Sequence, residues 1–153
     1  MKKRQQGMTT VEAAIGAALM LIVLFGAIEI ARAIFVWNYL DGVTRRGARV
    51  AAVCPYKDPV VKEAALFFDE HVKGLTKDYV QVEYLKEDGS DSTGFEDTRF
   101  VRVSIENGAG NNFEVPLLFF NTISWTTPKF RTVLPSESLG YNPDDGSFGC
   151  VFP

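Results

Sequence analysis

Ala13-Ala14-Ile15-Gly16-Ala17-Ala18-Leu19-Met20-Leu21-Ile22-Val23-Leu24-Phe25-Gly26-Ala27-Ile28 contains no charged residue. Sixteen residues are short for a membrane span, because about 20 are needed to cross ~30 Å of hydrocarbon. The apolar character resumes after Glu29 and Arg32, however, as Ala33-Ile34-Phe35-Val36-Trp37. Glu29 and Arg32 stand at i, i+3, neighbours on a helix surface, where they partly neutralise each other. Trp37 and Tyr39 follow where an interfacial aromatic belt is expected. The natural reading is one span from about Ala13 to Trp37. Lys2, Lys3 and Arg4 then stay on the cytoplasmic side by the positive-inside rule, and the C-terminal part lies in the periplasm.

Upstream of the run, the order is Met1-Lys2-Lys3-Arg4-Gln5-Gln6-Gly7, then Met8-Thr9-Thr10-Val11-Glu12. Cleavage after Gly7 would make Met8 the first residue and Glu12 the fifth. This resembles the site read by prepilin peptidases, with its short basic leader ending in Gly and its Glu at position five. A glycine before the scissile bond eases entry of the backbone into an active site at the membrane surface. A carboxylate at the edge of an apolar helix is costly in lipid and needs a cation; in pilins that cation is held to be the amino group of a neighbouring subunit. Two other readings stand beside this one. Ala31-Arg32-Ala33 could be a signal-peptidase site, although the apolar core exceeds a usual signal and Glu29 falls in the cleavage region. Alternatively, the segment is a plain anchor in which Gly7 and Glu12 carry no message.

In combination, these residues resemble the TadE-like family of minor pilins and pseudopilins of the tight-adherence (Tad/Flp) pilus system. Such proteins open with a basic leader, a Gly and a Val-Glu-(Phe or Ala)-Ala helix start, here Gly7 and Val11-Glu12-Ala13-Ala14. A Gly-x-(Ile)-Glu-x-x-Arg signature follows, here Gly26-Ala27-Ile28-Glu29-Ile30-Ala31-Arg32. The stretch from Asp41 through Thr44-Arg45-Arg46-Gly47-Ala48-Arg49 to Ala52 is similar to the family's next segment. The resemblance covers about residues 7 to 53. It implies a pilin-like subunit of the bacterial inner membrane, trimmed by a prepilin peptidase and supporting pilus assembly, adhesion and biofilm growth. Its implied partners are other pilins or pseudopilins, the peptidase, an inner-membrane assembly platform and the lipid bilayer. Glu12, Glu29 and Arg32 are the expected assembly residues. The alternative is an anchored periplasmic scaffold that recruits pilus or secretion components without entering a fibre.

Beyond Trp37 the helical pattern continues. Val36, Leu40, Val43, Gly47, Val50 and Cys54 recur at spacings of 3 and 4 and form one stripe. Asp41 and Arg45 form an i, i+4 pair, and Pro55 ends the helix. A helix from Met8 to Val53 would run roughly 69 Å. Arg45, Arg46 and Arg49 spread over more than one face and read as a solvated or salt-bridged surface, the alternative being acidic patches on neighbouring subunits. Gly16 and Gly26, with Ala14, Ala17 and Ala18, permit close helix approach in the membrane, or are merely lipid-compatible.

The expected division is a leader at 1–7, a transmembrane and stalk helix at 8–53 and a soluble α+β domain at 54–153 with one helix and an antiparallel sheet. In that domain, Asp58-Pro59 signals a helix start, Val61, Ala64, Ala65, Phe68 and Val72 continue it, and Gly74 stops it. Tyr79–Leu85 and Phe100–Ile105 read as strands of a long-looped hairpin. Phe113–Phe120 and Phe130–Leu134 are further extended stretches, and the tail from Ser136 reads as a loop pinned by Cys150. Cys54 and Cys150 are the only cysteines in the 153 residues. With the domain exported, a disulfide between them is expected, the alternative being two unpaired small core residues.

A net charge of −3 offers nothing that points to nucleic acid. His71 is the single histidine and reads as an ordinary helix-flank residue. No Cys-x-x-Cys, phosphate-cradling Gly loop or His-Glu-x-x-His is present, so neither catalysis, a cofactor nor a metal is expected. Glu87, Asp88 and Asp91 cluster oxygen ligands but read as a solvated turn rather than a calcium loop.

Overall fold

The computed structural model describes residues 6–67, 72–106, 113–116, 124–144 and 146–150. It is α+β: a long apolar helix, then a small domain with a short helix and antiparallel strands. Helix α1 spans Gln6–Val53 without a break. The molecule divides within it into two compact units, Met1–Val36 and Trp37–Pro153.

In the second unit, the expected stripe forms the core. Leu40, Val43, Ala48 and Ala51 of α1, and Cys54 just beyond its end, are fully buried. Burial centres on Ala51 rather than Val50, which is half-buried. Small residues on this face let the rest of the domain come close. A Cβ added at Gly47 would lie 3.0 Å from the Ala65 Cβ and 3.1 Å from a Val103 methyl. Thr44 is also buried. Its hydroxyl donates to the Asp41 carbonyl at 2.9 Å and accepts from Thr132 Oγ1 at 3.0 Å, so a polar core position is satisfied.

Helix α2 spans Val60–Ala65. Asp58 caps it as expected, its Oδ1 accepting the Val60 amide at 2.9 Å. The helix is shorter than the pattern predicts. Phe67 adopts φ 59°, a left-handed conformation that ends a helix and is uncommon for a bulky residue. Phe68 and His71 lie outside the described residues, and Gly74 takes the positive φ of 86° expected of a stop.

A short 3₁₀ turn at Lys77–Tyr79 leads into β1 (Val80–Leu85), followed by β2 (Phe100–Ile105), β3 (Glu114–Pro116), β4 (Ser124–Thr126) and β5 (Arg131–Pro135). β1 and β2 pair antiparallel, Val80 opposite Ile105 and Leu85 opposite Phe100. β5 joins the other side of β2 to give the order β1-β2-β5. Val80, Tyr84, Val101, Val103 and Ile105 form the buried face, while Gln81, Glu83, Arg102, Arg131 and Val133 alternate outward. The long β1–β2 loop is built on buried hydroxyls. Ser92 Oγ and Thr98 Oγ1 lie 2.7 Å apart and 2.7 and 2.8 Å from the Gly94 carbonyl oxygen, so one hydroxyl donates to the other and the second donates to the carbonyl. Tyr56 donates to the Ser92 carbonyl at 2.8 Å.

β4 (Ser-Trp-Thr) pairs with β3 in a separate two-stranded sheet, and three residues of mixed character carry no period to read. The stretch expected to extend to Phe120 is a strand over Glu114–Pro116, and residues 117–120 lie outside the described residues. The tail, read as a loop, is more ordered than that: Tyr141 and Phe148 form an antiparallel bridge. Gly140, at φ 72°, sits where a Cβ would meet Pro55 at 2.7 Å.

Candidate functional site

Within the first unit, α1 presents an uncovered apolar surface. Val23 is 73% exposed, Met20 71% and Ile22 67%. An aliphatic side chain of that size forgoes about 1.5–3 kcal/mol when left in water, so this surface belongs in an apolar medium. The helix is long and apolar enough to cross a bilayer. It is a candidate membrane anchor, consistent with a single-pass protein.

The charges are sparse and placed. Glu12 lies on the exposed early turns of α1. Arg32 and Glu29 form an i, i+3 ion pair at 3.4 Å, with side chains 28% and 21% exposed. Such a pair lowers the cost of charges inside an apolar run. Gly7 and Met8 belong to the helical backbone of α1. A Cβ added at Gly16 or Gly26 meets nothing within 4 Å, leaving shallow points on that surface.

The arginines of the second unit have separate employments. Arg45 pairs with Asp41 at 3.0 Å. The Arg46 guanidinium stacks 4.3 Å from the Phe67 ring centroid, and Arg49 is exposed.

Cys54 and Cys150 are joined in a disulfide, their Cα atoms 4.5 Å apart across a separation of 96 residues. The bond ties the tail to the end of α1. There the Ala52 carbonyl, left without an intrahelical donor, accepts the amides of Glu137 at 3.0 Å and Leu139 at 3.3 Å. The tail thus caps the helix, which the Gly/Pro/Ser composition did not disclose. Phe95, Tyr141 and Phe148 stack on one another with centroids 5.3–6.0 Å apart, holding the tail against the β1–β2 loop.

In the acidic loop, Asp88 accepts the Ser90 hydroxyl at 2.6 Å and the Ser90 amide at 2.9 Å. These bonds hold its carboxyl below the usual carboxylate range. The carboxylate shapes the turn. Among the described residues, no group of three or more His, Cys, Asp or Glu is placed to hold a metal. A cleft of about 520 Å³ lies beside Phe95, Thr98, Phe100 and Leu139; the Arg99 guanidinium there donates to the Glu96 and Thr98 carbonyls.

Residues 7–49 match the model of the family described as TadE-like protein. The match begins at Gly7, takes in Glu12, Glu29 and Arg32, and ends at Arg49 within α1, covering less than a third of the chain. It points to a Tad pilus-related protein. No curated protein and no solved structure matches the chain.

Proposed function

We propose that the chain is a minor pilin or pseudopilin of a Tad-type pilus or secretion machine, without catalytic activity. It enters the inner membrane through α1 with its C-terminal domain in the periplasm, is trimmed after Gly7 by a prepilin peptidase, and packs by its N-terminal helix among other pilins or pseudopilins at the assembly platform. Pilus biogenesis, adhesion and biofilm growth are the processes it serves. The observation that carries this reading is the coincidence of the family match with the helix. Residues 7–49 lie within α1, whose first part exposes its apolar side chains on every face. In a fibre, the same lipid-facing surface would meet the helices of neighbouring subunits, and Glu12 would meet a neighbour's new amino group.

The deciding experiment is the intact mass and N-terminal sequence of protein extracted from membranes. A chain beginning at Met8 supports a processed pilin-like subunit. A chain beginning at Met1 leaves an anchored scaffold, and one beginning near Ile34 means a secreted domain and overturns the reading. Glu12→Ala is expected to leave trimming intact and to lower the pilus recovered by shearing; normal piliation in that variant would remove the intersubunit role of Glu12.

A further inference from the structure

Trp37 ends the apolar run, and side chains distant in sequence gather around it. The Phe130 ring meets Trp37 edge-on with centroids 5.1 Å apart. Two residues on, and so roughly 200° round the helix, Tyr39 lies 6.0 Å from Phe67 by ring centroids and donates to the Leu66 carbonyl at 3.3 Å. Trp37 and Phe67 remain 48% and 40% exposed. Lys129 and Arg131 flank Phe130 and are exposed, the Lys129 side chain by 67%. Their segment is firmly held: Thr127 donates its amide at 3.0 Å and its hydroxyl at 2.9 Å to the Phe113 carbonyl, and β5 begins at Arg131. The carboxylate nearest Lys129 is that of Glu106, at 3.7 Å, which also accepts Ser104 Oγ at 3.2 Å.

We propose that this aromatic and cationic collar rests on the headgroup layer of the bilayer that holds α1, with Lys129 and Arg131 contacting anionic phospholipid headgroups. The inference rests on reading α1 as the anchor. Covalent continuity places the collar at the membrane surface, since Trp37 is both the end of the span and the ring on which Phe130 packs. Aromatic rings with a wet side and an apolar side favour that interface. Exposed cations beside them match anionic lipid, each weighing roughly five-fold in a docked–undocked equilibrium.

The test uses the full chain in nanodiscs of phosphatidylglycerol. A fluorophore is placed on a single added cysteine at Val23, Pro128 or Phe148, in turn, with the native disulfide intact. Phe148 is the distant control, since the tail is tied to Cys54 just past the end of α1, and Trp37 to Val53 is sixteen residues, or roughly 24 Å of helix. Acyl-chain nitroxide lipids should quench the label at 23, headgroup nitroxides should quench the label at 128, and neither should quench the label at 148. Quenching at 23 with 128 as bright as 148 overturns the collar and leaves the anchor standing. A bright label at 23 overturns the anchor, and the collar with it. In the Pro128→Cys protein, Lys129→Glu with Arg131→Glu should sharply lower headgroup quenching; unchanged quenching overturns the role given to the two cations.

Discussion

The two parts of α1 share one backbone and face opposite solvents. Before Trp37, Met20, Ile22 and Val23 stand more than 60% exposed, and apolar residues occupy every face. After it, Leu40 and Val43 are completely buried, while Arg45, Arg46 and Arg49 keep to the outer face. The difference lies in the side chains' period. An all-round apolar helix needs an apolar surrounding, whereas a striped one needs a single partner surface, supplied here by β2, β5 and α2. A continuous helix can thus be anchor in one part and core in the other.

Substitutions should separate the two parts, with thermal unfolding of the detergent-solubilised protein as the common measurement. The largest contrast is expected from truncation. Leu40→Ala should destabilise the domain by about 2–5 kcal/mol, through lost transfer energy and the cavity left behind. Leu21→Ala, at a site 51% exposed, should leave the unfolding midpoint in place, and equal losses would merge the two parts into one cooperative unit. Replacing Cys54 and Cys150 together by Ser should cost about 2–4 kcal/mol, and a reducing agent should reproduce the loss in the native protein. A domain indifferent to both would mean the tail is held by packing alone.

Glycines sharpen the contrast further. Gly47→Leu forces a side chain into Ala65 and Val103, with an overpacking penalty of about 1–3 kcal/mol. Gly26→Leu meets nothing within 4 Å and should leave domain stability unchanged. A neutral Gly47→Leu would show that β2 can yield.

The smallest effect is expected at Tyr84, buried with no hydrogen bond of ordinary geometry to its hydroxyl among the described residues. Burial raises its phenol above the usual range, with the Lys57 backbone amide acting the other way. Tyr84→Phe removes an unsatisfied group, so stability should stay within about 1 kcal/mol of the parent or rise. The folded chain holds this phenolic proton more tightly than the unfolded chain. Stability should therefore fall as pH climbs through and beyond the ordinary tyrosine range, and Tyr84→Phe should flatten that fall.

Local signals in the sequence were legible wherever a pattern was long or a residue type had one physical use. The uncharged run, the stripe from Leu40 to Cys54, the Asp58 cap and the alternating strands β1 and β2 all follow from periods and caps. The disulfide followed from the two cysteines together with the expectation that the domain is exported. What escaped reading was either short or made by distant partners. β4 is three residues of indifferent character, and α2 stops because Phe67 turns left-handed, which no spacing announces. His71, at the flank of the predicted helix, lies outside the described residues.

By itself, then, the sequence determined that a long helix would be apolar all round first and striped afterwards, that an α+β domain would follow, and that Glu29 and Arg32 would meet inside the apolar run. Such features arise from contacts within a few residues, where helix geometry alone decides who is neighbour to whom. Only the tertiary structure decided that Phe130 would pack on Trp37 and that Thr132 would satisfy Thr44. It also brought the tail back to cap Ala52. Those contacts close loops of tens of residues, and which distant surfaces meet depends on how the whole chain buries its apolar faces at once.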